Sequence, residues 1–199
     1  MLIDYRTKTV SERYHLMAQT IIPRPIAWIV TRDAEGIVNV APFSYFMALS
    51  SEPPTLIVSI GHKPDGTPKD TLRNIRNTKK CTICLVDEAH LEPMHLSSKP
   101  LDHEVSEAKL FDIPLEDKLE GFPPIVRDVP AAFFCTLHTE VDLEGSKTIP
   151  LVLRIEQEYL DDRCVTTQKG HLKIDFRPVA RIGREYALLG QKITPPPIP

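Results

Sequence analysis

Proline placement is the strongest constraint this sequence puts on its fold. The chain holds 19 prolines in 199 residues, against an average usage of roughly 5%. Many of them open or close apolar runs: Pro23, Pro25, Pro42, Pro53, Pro54, Pro130 and Pro150. Proline has no backbone N–H and is confined in sheets to edges, strand starts and bulges. The interior of a long helix does not tolerate it. This distribution predicts a mainly β chain with many corners, an antiparallel barrel rather than a helical bundle.

The hydrophobic pattern points the same way. Residues 26–31 (IAWIVT) are a compact apolar run ending in the turn Asp33-Ala34-Glu35-Gly36. Residues 38–43 follow, and the pair predicts a hairpin. Residues 55–60 (TLIVSI) and 81–86 supply a third and a fourth strand. Across 131–143, Phe133, Cys135, Leu137, Val141 and Leu143 share one face while Thr136, His138, Glu140 and Asp142 share the other. That alternation predicts a long, half-buried antiparallel strand. Ile149, Leu151, Leu153 and Ile155 alternate again, and a last strand is expected near 163–167. Helical spacing occurs at 70–77, with Asp70 placed to cap it, and a short helix is expected within 105–110. Strand and helix do not alternate regularly, so a parallel α/β sheet is not expected.

The length suits one domain with one core, and no linker or repeat divides it. Residues 89–126 are irregular, with five prolines at 93, 100, 114, 123 and 124. Such a stretch inside a compact domain reads as a functional loop or lid. The tail 193–199 (ITPPPIP) cannot build a ladder of donors and reads as extended polyproline II or disordered chain. A net charge of -3 without a basic run argues against nucleic-acid and anionic-membrane partners. No stretch of about 18 apolar residues could span a bilayer. The N-terminus lacks the pattern of a secretory signal, so the expected location is cytoplasmic.

Cys81 and Cys84 have the spacing of a redox pair. In a strand, however, residues three apart point to opposite faces, and no helix start follows to lower a thiol pKa. They read as core residues. His90, His95 and His103 lie in the irregular middle at spacings that match no common ligand pattern, and no metal site is assigned. The chain has no G-x-G-x-x-G and no G-x-S-x-G. The stretch Gly61 to Thr67 imitates a P-loop, but Pro64 and Pro68 remove N–H groups a phosphate cradle needs.

What remains is a concentration of donors and small residues near the front. Arg24 stands between two stiffening prolines, as a guanidinium presented to an anion would. Asn39, Val40, Ala41, Pro42, Phe43 and Ser44 let a ligand approach the main chain. Lys69, Thr71 and Arg73 add donors beside a helix start, where phosphates bind readily.

At these residues the sequence resembles the flavin reductase-like family of FMN-binding split-barrel proteins, in its DIM6/NTAB branch. The matching text is IIPRPIAWIVTRDAEGIVNVAPFSYF, SSEPPTLIVSI and KDTLRNI, with HLKIDFRPVARIGREYALLG near the C-terminus. The resemblance implies an antiparallel split β-barrel, a homodimer, and FMN held non-covalently near the subunit interface. It also implies an oxidoreductase role with NADH or NADPH as electron donor. Carried over by position, Arg24 and Thr31 would lie by the flavin. Asn39 to Ser44 would meet its ring and ribityl chain. Ser59, Ile60 and Gly61 would close one side, and Lys69, Asp70 and Thr71 would reach the phosphate. Residues 89–126 match no motif of the family. Hydride transfer to flavin needs position and electrostatics more than a side-chain acid or base, so no catalytic residue is assigned. Three alternatives stay open: a flavin carrier without turnover, a flavin enzyme acting on another small substrate, and an interaction protein that has lost the cofactor.

Overall fold

The computed structural model describes residues 1–198. Helix α1 (Val10–Thr20) comes first. The strands β1 (Arg24–Pro25), β2 (Ala27–Arg32), β3 (Val38–Phe43), β4 (Phe46–Ser51) and β5 (Pro54–Gly61) follow in close succession. Helix α2 (Asp70–Thr78) leads to β6 (Lys80–Cys84), then α3 (Leu91–Leu96) and α4 (Glu107–Leu110). Next come β7 (Leu115–Glu116), β8 (Ile125–Val126), β9 (Ala131–Glu140) and β10 (Thr148–Leu160). The chain closes with β11 (Val165–Gln168), β12 (His171–Ile174), β13 (Val179–Ile182) and β14 (Glu185–Leu188). The architecture is mainly β with a few short helices, as the prolines and alternation predict.

A seven-stranded antiparallel sheet in the order β3-β2-β6-β9-β10-β5-β4 organises the molecule. Strands β3 and β4 are consecutive in sequence yet stand at opposite ends of that order, joined only through Ser44 and Tyr45. The sheet must therefore curl until its two ends meet at this link. Ser59 N–H donates to the Tyr45 carbonyl at 2.9 Å and extends the β4–β5 ladder up to this link. The ends do not zip into a continuous ladder, so the barrel stays split.

Both faces of the sheet are covered. Ala27 and Ile29 of β2 pack with Leu72 and Ile75 of α2. Trp28 and Val30, pointing the other way, pack with Met94, Ile125 and Val126 from the middle segment. The two cysteines of the C-x-x-C divide likewise, Cys81 to the first cluster and Cys84 to the second. All four cysteines are unpaired, and complete burial pushes the Cys84 thiol up to about 12. The redox-pair reading stays rejected.

Several expectations need correction. Strand β9 is not half-buried throughout: Ala132 and Phe134 are buried on one face and Cys135 on the other. It lies centrally in the sheet, so its first half needs cover on both sides. It also ends at Glu140, before Val141 and Leu143. Asp70 does not cap α2. The cap position is Lys69, with no side-chain cap bond, and Asp70 opens the first turn. Its carboxylate is held instead by Lys63 at 2.9 Å and by Arg73. Residues 89–126 are not uniformly irregular, since they hold α3, α4 and the β7–β8 pair. Helix α1, with a full capping box between Thr9 and Glu12, and strand β4 were not anticipated, and the strand expected near 163–167 is not the last, since β12, β13 and β14 follow β11. Tail residues 193–198 are exposed and carry no helix or strand; Pro199 lies outside the described residues. No helix among the described residues is long and apolar enough to cross a membrane.

Candidate functional site

The seam of the split barrel is where the surface opens. Two adjoining cavities of about 400 and 670 Å³ share Pro42, Phe43, Lys69 and Ser98. Their volumes fall in the range of small-molecule and cofactor sites, about 300–1,000 Å³. The smaller is lined by aromatic and apolar groups including Tyr14, Phe43, Tyr45, Met94 and Tyr186, with His95 and Arg181 at its wall. The larger runs along the start of α2 and is lined by Asn39, Lys63, Asp70, Thr71, Lys99 and Glu107, among others.

Strand geometry decides which expected residues reach the cleft. Side chains alternate across a strand, so Asn39 and Ala41 face the larger cavity while Val40 turns into the core. Ser59 and Gly61 face the smaller cavity, and Ile60 is core. Pro42, Phe43 and Ser44, at the seam itself, all line the opening. Lys69, Asp70 and Thr71 line the larger cavity. Thr31 is fully buried, and its hydroxyl accepts from Asn74 Nδ2 at 3.1 Å. Arg24 is 5% exposed and lies outside both linings. Its guanidinium donates to the carbonyls of Ala18, Ile21 and Gly183. It clasps the end of α1 to the barrel.

A buried polar network fixes the wall of the larger cavity. Both Glu107 oxygens accept from Asn39 Nδ2, at 2.9 and 2.8 Å, and one also accepts the Val40 N–H at 2.9 Å. The Thr71 hydroxyl donates to Asn39 Oδ1 at 2.8 Å. Glu107 thus sets the orientation of the Asn39 amide, and through it that of Thr71. Burial pushes the Glu107 carboxyl above the usual carboxylate range, opposed by its hydrogen bonds. On the opposite rim, the fully buried Trp28 donates its indole N–H to Ser97 Oγ at 2.9 Å. A buried indole N–H needs such a partner, and the bond anchors the loop that carries Ser98 and Lys99.

Lys69 sits where the cavities join. Its ammonium lies 5.6 Å from the Phe43 ring centroid. No carboxylate pairs with it among the described residues, and burial alone pushes its pKa down. Helix α2 starts at this lysine without a side-chain cap, so its first N–H groups are left to solvent or a ligand. An uncapped helix start and an unpaired ammonium together suit an anion. Asp70 would oppose one, but Lys63 and Arg73 neutralise it. The neighbouring apolar and aromatic lining suits a planar ring.

A model of the flavin reductase-like domain matches residues 17–171. The chain belongs to the flavin reductase-like family. Membership places it among flavin-related oxidoreductases. Nitrilotriacetate monooxygenase component B from Bacillus cereus superposes with a TM-score of 0.89 at 26% identity, covering 98% of each chain. The 2-nitrobenzoate 2-nitroreductase of Pseudomonas fluorescens gives 0.88 at 26% identity, covering 100% of this chain and 96% of that one. A structure from Shewanella frigidimarina with a split barrel domain gives 0.81 at 22% identity over 100% of both chains. The curled, unclosed sheet of this flavin reductase-like protein is therefore a split barrel.

Sequence reasoning missed Glu107, His95, Arg181 and Tyr186. Arg181 and Tyr186 lie within the C-terminal text that carries the family resemblance, and they pair directly across the β13–β14 hairpin. That pairing, an arginine opposite a tyrosine around Gly183, was the available signal. Glu107 gave none, because its partners are 67 and 68 residues away.

Proposed function

We propose that the cleft binds FMN, with the phosphate at Lys69 and the start of α2 and the ring toward Phe43 and the seam. On this reading the chain passes electrons from NADH or NADPH to flavin. The observation that carries it is the unpaired Lys69 ammonium at an uncapped helix start, beside an aromatic cavity. When bound, the flavin supplies the hydride-accepting chemistry. The residues of the chain supply position: Glu107 holds Asn39, Asn39 holds Thr71, and Trp28 holds the loop at Ser97. Purified protein mixed with FMN is expected to retain the flavin spectrum through gel filtration and to oxidise NADH or NADPH. Colourless protein with no flavin-dependent oxidation would sink the proposal.

Lys69→Met tests the phosphate position. A hydrogen bond to a charged group is worth about 1.5–3 kcal/mol, so FMN affinity should fall about 10- to 100-fold. Thermal stability should hold, since the exposed Lys69 side chain makes no hydrogen bond or ion pair among the described residues. Unchanged FMN affinity places the phosphate elsewhere.

A second reading is direct reduction of a small organic molecule on the flavin. The likeness to a 2-nitrobenzoate 2-nitroreductase favours it. Under either reading we place a second copy of the chain against the face where α1 and β4 expose Tyr14, Ile21, Met47 and Leu49, an apolar surface of the kind that marks interfaces. Four unpaired cysteines suit a reducing compartment such as the cytoplasm.

A further inference from the structure

The cleft has a second cationic position, apart from the lysine at the start of α2. Strands β1 and β13 place Arg24 directly opposite Arg181. Like charges facing each other across a ladder are destabilising, and no carboxylate relieves either one among the described residues. Both instead donate to the same carbonyl, that of Gly183, Arg24 at 3.4 Å and Arg181 through Nε at 3.2 Å. Arg24 is further occupied by the carbonyls of α1 and is buried. Arg181 is only half-buried and forms part of the wall of the smaller cavity.

The surroundings of Arg181 are aromatic. Its guanidinium lies 4.7 Å from the centroid of the Tyr186 ring. The Tyr186 hydroxyl is fixed by His95 Nδ1 at 3.0 Å, and the two rings meet edge to face at 5.7 Å. Stacking on a ring leaves the edge of the guanidinium plane for a ligand, and that fork matches a carboxylate bidentately. Lys69 stands where the two cavities join, whereas Arg181 lines only the smaller one. The smaller cavity, about 400 Å³, lies in the size range of small-molecule sites.

We infer that Arg181 and Tyr186, with His95 holding the tyrosine, form a binding subsite for a small aromatic carboxylate. The anion meets Arg181 and relieves the paired arginines, and the ring lies in the aromatic part of the smaller cavity. This deepens the flavin reading by assigning a substrate class to the same cleft, and it rests on that reading.

The test uses FMN-loaded protein and benzoate, followed by saturation-transfer NMR and by perturbation of the flavin spectrum. Benzoate is expected to bind, and benzamide, its neutral counterpart, is not. Arg181→Gln should weaken benzoate at least tenfold while FMN affinity stays within about threefold of wild type. Tyr186→Leu, which leaves the cation in place, should weaken benzoate as well. Equal binding of benzamide, or displacement of benzoate by inorganic phosphate at equal concentration, would overturn the aromatic-carboxylate assignment. So would parallel loss of FMN and benzoate in Arg181→Gln, which would make Arg181 part of the cofactor position. The FMN titration is read first, so failure to bind FMN condemns the flavin reading. Failure of benzoate on protein that holds FMN condemns only this one.

Discussion

Glu107→Ala is expected to lower the unfolding free energy by about 2–4 kcal/mol, since each buried donor stripped of its acceptor costs about 1–3 kcal/mol. The substitution removes both acceptors of the Asn39 amide and the acceptor of the Val40 N–H. Relief of the carboxylate's own desolvation offsets part of that loss. A urea midpoint with an unchanged slope would report it. FMN affinity should fall too, because Asn39 and Thr71 lose the group that orients them. Glu107→Gln separates the charge from the shape. A glutamine has one acceptor oxygen where the carboxylate has two, so the Val40 bond and one Asn39 bond can persist.

The pH dependence has a definite sign. Burial holds the folded-state pKa of Glu107 above its unfolded value. The native state therefore binds the proton more tightly. The stability linked to this group is fully present below the ordinary glutamate range and is lost as pH rises through the folded pKa. Across that window the wild type should lose stability relative to Glu107→Gln. Parallel stability profiles for the two proteins would show that the carboxyl is not held high by burial.

What the sequence revealed and what it hid have physical reasons. The hairpin of β2 and β3 was legible because apolar runs, a turn with Gly36, and Pro42 all mark it, and the predicted 38–43 is the observed Val38–Phe43. The cleft residues at the seam were legible for the same reason, since Pro42 marks where β3 comes to its end. The family resemblance carries Val40 and Ile60 along as parts of contiguous motifs, whereas a strand shows only alternate side chains to one side, and theirs are core. Helix α1 escaped notice because it buries only Ala18, so no apolar stripe advertises it. The wall built from 89–126 escaped because its decisive contacts are long-range and rest on single side chains, Ser97 under Trp28 and Glu107 under Asn39. Such contacts have no period for a pattern to detect.

Arg24 shows how a residue can be conspicuous in sequence for a structural reason, and it yields the second large effect. Between its prolines it reads as a ligand-facing guanidinium. In the fold it is the clasp that joins α1 to the turn between β13 and β14. The last carbonyls of a helix have no partner within it, and Arg24 serves two of them, Ala18 and Ile21. Gly183 approaches the same end: its N–H donates to the Ala18 carbonyl at 3.1 Å. Its φ of +51° is one that side-chain-bearing residues rarely adopt. Arg24→Met keeps most of the stem's volume and removes every donor. It should cost about 1–3 kcal/mol: the Ile21 carbonyl loses its donor, while the Ala18 and Gly183 carbonyls keep theirs from the Gly183 N–H and Arg181 Nε. The loss should be local before it is global. Limited proteolysis is expected to cut within α1 while the sheet resists, and amide exchange should accelerate first across α1 and the β13–β14 turn. FMN affinity of the folded variant should stay within about threefold of wild type, an interval of roughly 0.7 kcal/mol, because Arg24 lines neither cavity. The opposite pattern, wild-type stability with FMN binding abolished, would mean that the guanidinium leaves its carbonyls for the cofactor, and the clasp would have to be abandoned.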